Sequence, residues 1–314
     1  MATLRDIADA VGVSIRTVSR ALSGSGYVGE AVRSRILETA DALGYSPDPV
    51  AQSLRLGRSR EFVVIAPSVD ELHLAKIAGM EEALERTGYS LSIVIARGFS
   101  PAVAGELADR VRRRKPAGVA VIASGHDATS IVDALQECAL RVVSVDAPEV
   151  EPSVRLDRPA GVADAVRYLV DTGRRRICYV GPAGSTERLA GYRRAIGEAG
   201  FTPVEIDPGE GSLYRRSVRR LLATRPRIDA IQAYSDERAL QLLSGLHDQG
   251  VRVPEDVAIV GFDDRWAARY SWPPLTTVAQ PSRELGVAAA NWLTGAATDP
   301  VVVIPTRLVV REST

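Results

Sequence analysis

Residues 2–26 read ATLRDIADAVGVSIRTVSRALSGSG, two short amphipathic segments on either side of a glycine. Thr3 stands where an N-cap belongs, and Asp6 follows three residues on, the spacing of a capping box with Asp in place of Glu. Leu4, Ile7, Ala8 and Val11 recur at helical intervals, so one face is apolar. Gly12 punctuates the turn. Ser14 is placed to cap a second helix whose apolar stripe is Val18, Ala21 and Leu22. Ile15, Arg16, Thr17, Ser19 and Arg20 are left to face outward. A third helix is expected to turn Val32, Ile36, Ala40 and Leu43 inward and to stop at Gly44. Two helices joined by a tight turn, the second with a polar and basic outer face, is how a helix-turn-helix reader of the DNA major groove is built. An ordinary three-helix unit satisfies the same periodicity. Three helices of this size enclose only about ten side chains and are marginal alone.

Read as a DNA-binding unit, the second helix presents Arg16 first for base readout, since arginine to guanine O6/N7 is the commonest specific contact. Ile15 and Arg20 assist. Thr3, Ser14 and Ser19 fall where polar groups position a helix on phosphates. Through residue 60 there are eight arginines against six acids, a net of +2, whereas the whole chain of 314 residues is neutral. Global charge therefore says nothing about nucleic acid, and docking depends on where the charges sit.

From residue 61 the pattern changes. The β-rich runs FVVIAP, LSIVIA, GVAVIA, RVVSVDAP, ICYVG, AIQAYSD and VAIVGFDD alternate with helical stretches that end at Gly88, Gly173, Gly200 and Gly250. Such alternation means α/β structure with parallel sheets covered on both faces. The units are too many for one modest sheet, and ligands of open sheets bind beyond the strand C-termini. Two sheets facing one another would make a cleft.

Other chemistries find little footing. Gly24-Ser-Gly26-Tyr-Val-Gly29 satisfies GxGxxG, but it follows a helix, whereas a dinucleotide fingerprint follows a strand. His73, His126 and His247 have no catalytic motif around them, and no cofactor is expected. Cys138 and Cys178 read as buried thiols. The N-terminus lacks an apolar leader and no apolar run reaches membrane-spanning length, which points to the cytoplasm. An NAD-linked or hydrolytic enzyme is a remote alternative; a solute-binding sensor without DNA regulation is the other.

The wording of these segments, beyond their periodicity, closely resembles the LacI/GalR (lac repressor) family of bacterial transcription regulators. TLRDIADAVGVSIRTVSRAL and VRSRILETADALGYSPD match its headpiece, nearest to the purine repressor subgroup. After Pro47 and Pro49, VAQSLRLGRSR falls on the family's hinge helix, which folds when two copies meet over the minor groove. The resemblance makes Leu54 the wedge that kinks the central base step, with Val50 and Ala51 helping the two helices pack. Arg55, Arg58 and Arg60 become phosphate contacts. A plain basic linker is the alternative.

RLAGYRRAI (188–196), AYSDERAL (233–240), VPEDVAIVGFDD (253–264) and PPLTTVAQP (273–281) extend the resemblance over essentially the whole chain. They imply a periplasmic-binding-protein-like sensor of two doubly wound parallel-sheet subdomains, crossed by the chain near Asp157, Gln280 and Thr306. The expected organisation is a helix-turn-helix headpiece at 1–46, a hinge at 47–60 and an effector-binding domain at 61–314. Its N-subdomain takes about 61–157 and 281–306, and its C-subdomain about 158–280 and 307–314. The protein is then expected to be a homodimeric, effector-controlled repressor on a pseudopalindromic operator, associated with the bacterial nucleoid.

By the same resemblance Arg188 and Asp263 are the strongest effector ligands. A planar fork of donors with a carboxylate acceptor suits a sugar or another polyol, although Arg188 could equally meet a carboxylate. Asp146 and Ser235 occupy further strand ends. His73 and Leu74 fall where relatives line the N-subdomain side. Leu213 sits where some relatives have a stacking aromatic, which leaves Trp266 to supply a ring. Asp236 either caps a helix or touches ligand, and Trp272 reads as core. Where relatives carry Asn-Pro-aromatic-aromatic, this chain has SVDELHLAKIAG, and the loop GPAGSTERLAGY is short. Both departures border the expected pocket, so an unusual effector, or none, is compatible with the sequence.

Overall fold

The computed structural model describes the chain apart from residues 1, 24, 25, 46–58, 86, 97, 99, 124–126, 210–213, 225 and 226. It divides into two compact units, residues 1–60 and 61–314.

The first unit holds α1 (Leu4–Val11), α2 (Ile15–Ser23) and α3 (Glu30–Ala42). The capping box is complete: the Thr3 hydroxyl accepts from the Asp6 N–H, and the Asp6 carboxylate accepts from the Thr3 N–H at 2.7 Å. Gly12 ends α1 at φ +74°, in the left-handed region where a side chain is strained. The Ser14 hydroxyl accepts from the Thr17 N–H at 3.1 Å and starts α2. Ile7, Ala8 and Val11 of α1 bury against Val18 and Ala21 of α2 and Ile36 and Ala40 of α3. Leu43, expected inward, is instead 43 % exposed. The helix ends one residue before it, so the periodicity that pointed it at the core has lapsed, and Tyr45 packs there.

The second unit begins with β1 (Glu61–Ala66), α4 (Glu71–Leu84), β2 (Ser90–Ile95), α5 (Pro101–Arg113), β3 (Gly118–Ile122) and α6 (Asp127–Glu137). It continues through β4 (Val142–Val145), β5 (Ser153–Leu156), α7 (Arg158–Asp171), β6 (Ile177–Val180), α8 (Thr186–Glu198) and β7 (Val204–Ile206). Next come α9 (Tyr214–Ala223), β8 (Ala230–Ala233), α10 (Asp236–Asp248), β9 (Ala258–Asp263) and α11 (Trp266–Tyr270). It closes with β10 (Thr276–Ala279), α12 (Ser282–Thr294), β11 (Val301–Ile304) and β12 (Arg307–Val309).

Among the described residues two six-stranded sheets result, in the orders β11-β5-β4-β3-β1-β2 and β12-β10-β9-β8-β6-β7. Every pairing is parallel except β10 with β12. Side chains alternate between faces, as the period of two requires. Val63, Ile65, Val119 and Val121 enter one core of the first sheet, and Phe62, Val64, Ala120 and Ile122 enter the other. The second sheet is covered on both faces in the same way.

The chain passes from the first sheet to the second between Leu156 and Arg158, returns after Ala279, and leaves again between Ile304 and Arg307. At the first and third passages, the Thr306 hydroxyl donates to the Asp157 carbonyl. The returning α12 is fixed against α4 backbone to backbone. A Cβ on Gly286 would fall 1.9 Å from the Lys76 carbonyl oxygen, and one on Gly79 would fall 2.0 Å from that of Arg283. Strand order reverses at β1 in one sheet and at β6 in the other, which sets the expected binding crevices at their carboxyl ends.

Trp272, expected in the core, is 88 % exposed. Two prolines separate it from β10, and the side chain that enters the core there is Leu275.

Candidate functional site

The carboxyl ends of the two sheets line one cavity of about 490 Å³. The first sheet contributes Asp70, His73 and Lys76 after β1, Ala123 after β3 and Asp146 after β4; the second contributes Glu187 and Arg188 after β6, Tyr234 and Ser235 after β8, Asp263 and Arg265 after β9, and Gln280 after β10. The lining is dominated by charge, and its two ends differ in how that charge is arranged.

At one end the ions are in direct contact. Asp146 leaves β4 at φ +78° and is buried. Lys76 Nζ lies 3.1 Å from it, and Arg158 holds its other oxygen while donating to Glu187 at 3.1 Å. Burial opposes the Asp146 charge, but Arg158 and Lys76 outweigh it and bring its pKa down to about 2. Arg158, the first residue after the passage between sheets, thus joins Asp146 of one sheet to Glu187 of the other.

At the other end the ions stand slightly apart. Arg188 lies over the rings of Tyr234 and Phe262, 4.2 and 4.3 Å from their centroids, with a guanidinium nitrogen 3.6 Å from Asp263. Arg265 lies 3.7 Å from Asp263 and 3.7 Å from Asp70. None of these separations is a hydrogen bond. Asp263, at φ +124°, accepts from Gln280, and its pKa is pushed up by burial against the opposing pull of Arg188 and Gln280. Among the described residues, Arg188 Nε, Arg265 Nε and Gln280 Oε1 are buried without a hydrogen-bond partner. Orphaned polar groups of this kind are costly unless something else supplies the partner. A hydroxyl between Arg188 and Asp263 would accept from one and donate to the other.

Of the residues expected at the cleft, His73, Asp146, Arg188, Ser235 and Asp263 line it. His73 Nδ1 meets the Ser68 hydroxyl at 2.9 Å, and burial lowers its pKa, which favours the neutral ring. Ser235 is the N-cap of α10. Leu74 and Trp266 do not line the cavity. Leu74 is turned a third of a helical turn from His73 and is exposed. The Trp266 ring packs on Tyr270, one turn along α11, at 5.8 Å and is exposed. Leu213 lies outside the described residues. Asp236 neither caps nor lines: it is fully buried and accepts from the Thr277 hydroxyl and from the Arg265 N–H.

The sequence reading missed Lys76, Arg158, Glu187, Arg265 and Gln280 as cleft residues. One signal was available: Lys76 is one of only two lysines in the chain, the other being Lys115.

In the first unit, α2 turns Ile15, Arg16 and Arg20 outward, with Thr17 and Ser19 half-buried and Thr3 and Ser14 exposed. Ile15 is 42 % exposed, an apolar side chain held in the open at the start of a helix. Leu54 and Arg55, with the rest of the expected hinge up to residue 58, lie outside the described residues. Among the described residues no cluster of potential metal ligands occurs, and no helix is long and apolar enough to cross a membrane.

Residues 3–48 match the model for bacterial regulatory proteins of the lacI family, and residues 166–314 match the periplasmic binding protein-like domain. The chain is 33 % identical to the HTH-type transcriptional regulator CelR of Thermobifida fusca, covering 99 % of this chain and 98 % of that one. It is 30 % identical to catabolite control protein A of Priestia megaterium, covering 99 % of both. Among solved structures, a transcriptional regulator CelR–cellobiose complex superposes with a TM-score of 0.72 at 29 % identity, covering 100 % of both chains.

Proposed function

Because the chain belongs to the lacI family of bacterial regulatory proteins, we propose that it is a homodimeric repressor whose grip on operator DNA is set by a sugar or related polyol in the cleft. It acts by binding, without catalysis, in the bacterial cytoplasm.

The observation that carries the effector reading is the row Arg188–Asp263–Arg265–Asp70, alternating in sign with gaps of 3.6–3.7 Å. A neutral polyol fits such a row, since each hydroxyl accepts from an arginine and donates to a carboxylate. A carboxylate ligand would meet Asp263 and Asp70 as well as the arginines. The cellobiose held by the CelR structure is a ligand of the favoured kind.

On the DNA side, α2 enters the major groove of a half-site. Arg16 reads a base, Ile15 and Arg20 flank it, and Thr3, Ser14, Thr17 and Ser19 position the helix on phosphates. Leu54 wedges the central step and Arg55 neutralises a phosphate beside it. Two copies make the operator pseudopalindromic. The effector acts by favouring one relative orientation of the two sheets, and it can shift DNA binding only by its differential affinity for the two states.

The test is selection of duplexes from a random pool by the purified protein at near-physiological salt, followed by calorimetric titration with neutral sugars, polyols and sugar acids. Enrichment of a pseudopalindrome and uptake of a neutral sugar are expected. Failure to enrich any sequence, with or without sugars, would exclude the repressor reading.

A further inference from the structure

Among the described residues, two adjacent contacts at the rim of the cleft span it. On the first subdomain they start from Asp70 and Glu71, at the beginning of α4. On the second they end at Arg265 and Trp266, at the beginning of α11. The Glu71 carboxylate accepts from the Trp266 backbone N–H at 2.9 Å, and Arg265 stands 3.7 Å from Asp70. The partners are almost two hundred residues apart in sequence, so the contacts exist only when the subdomains approach. Arg158, by contrast, bridges them beside the passage point, where a rocking motion moves it least.

We infer that Glu71 is a positioning residue for effector binding: with Asp70, it forms a clasp that holds the cleft shut and sets the spacing of the row read by the effector. The inference rests on the cleft being the effector site. Glu71 itself is exposed and does not line the cavity, so it acts through Trp266 and the neighbouring Arg265. Arg265 is fixed from behind by its own N–H to Asp236 at 2.8 Å. Closing the clasp therefore brings an arginine already held beside Asp263 to within reach of Asp70. Releasing it would leave Arg188 and Asp263, both on the second subdomain, without the opposite wall.

The chain supplies its own probe of opening. Lys76 is 3 % exposed inside the cleft, and the only other lysine, Lys115, is exposed on the surface. The ratio of Lys76 to Lys115 acylation by an amine-reactive reagent, read by peptide mass spectrometry on the full-length protein without effector, reports how often the cleft opens. Glu71→Ala removes the acceptor, and the ratio is expected to rise roughly fivefold to tenfold, the worth of one hydrogen bond. Glu71→Gln keeps an acceptor oxygen and is expected to stay near the parent value. Trp266→Pro removes the donor from the other side, at a first helical position that tolerates proline, and is expected to match Glu71→Ala. An unchanged ratio in both Glu71→Ala and Trp266→Pro overturns the clasp, as does a rise in Glu71→Gln equal to that in Glu71→Ala. The measurement involves no effector, so a cleft that binds no sugar fails in the titration and not here.

Discussion

Arg188 stands 3.6 Å from Asp263 with its guanidinium over the rings of Tyr234 and Phe262. Both rings hold the cation in place, and its Nε is buried without a hydrogen-bond partner. Arg188→Lys keeps the charge but loses the planar fork and the stacking. Sugar affinity is expected to fall by about 10-fold to 100-fold, the scale of one or two hydrogen bonds to a charged group. Calorimetric titration of the variant checks this. Parent-like affinity would move the reading end elsewhere in the cavity.

Asp146 is the hub of the contacting ions, and its removal leaves Lys76 buried without its counter-charge and Arg158 with Glu187 alone. Asp146→Ala is expected to destabilise the second unit by about 3–5 kcal/mol in chemical denaturation. The pH dependence has a definite sign. A carboxyl whose pKa drops from 3.8 unfolded to about 2 folded stabilises fully above 3.8 and loses that contribution as pH falls toward 2. The parent should therefore lose stability across that acid window, and the variant should show a flatter profile there.

Asp236 behaves in the opposite way. Burial raises its pKa to about 7, opposed by the Thr277 hydroxyl and aided by the nearby Asp263. The folded protein then binds a proton that the unfolded chain releases near 3.8, so stability declines as pH rises from about 4 to about 7. Asp236→Asn retains a carbonyl for the Arg265 N–H and an amide for the Thr277 hydroxyl, and carries no charge. It is expected to remove most of this decline and to be the more stable protein at pH 8. Thermal midpoints at pH 5 and pH 8 for both proteins test it, and parallel profiles would refute a titrating Asp236.

Gly286 lets α12 lie on α4 with its backbone touching the Lys76 carbonyl. Gly286→Ala places a methyl where a backbone oxygen already is, and neither helix has a flexible atom to yield. Overpacking of this kind costs roughly 1–3 kcal/mol, measurable as a lower denaturant midpoint. Gly105→Ala, at an exposed position of α5 with open space around the added carbon, is the control and should be neutral or slightly stabilising.

Arg16 faces outward from α2 beside Ile15, with Arg20 one turn on. Arg16→Ala is expected to relax base preference at one position of each half-site by roughly 1–3 kcal/mol in duplex selection. A loss spread evenly over all sequences, with a shallower salt dependence, would instead assign Arg16 to a phosphate.

What the sequence determined by itself is what short-range physics dictates. The capping box of Thr3 and Asp6, the turn at Gly12, the apolar stripes of α1 and α2, and the left-handed glycines after the sensor helices are set by neighbours within a few residues. Strand ends were legible too, because a β-rich run that closes on Asp263, or on Ser235 as the cap of the next helix, carries its own boundary. Tertiary structure alone decided which of those ends share a cavity and with what charge. Lys76, Asp146, Arg158 and Glu187 come from four elements with no common spacing, and their pairing depends on where two sheets face each other. The same holds for Glu71 with Trp266, and for the burial that raises the Asp236 pKa. Leu74 and Trp266 were misplaced because position along a helix is read from sequence, whereas the direction a side chain takes is settled by what the helix packs against.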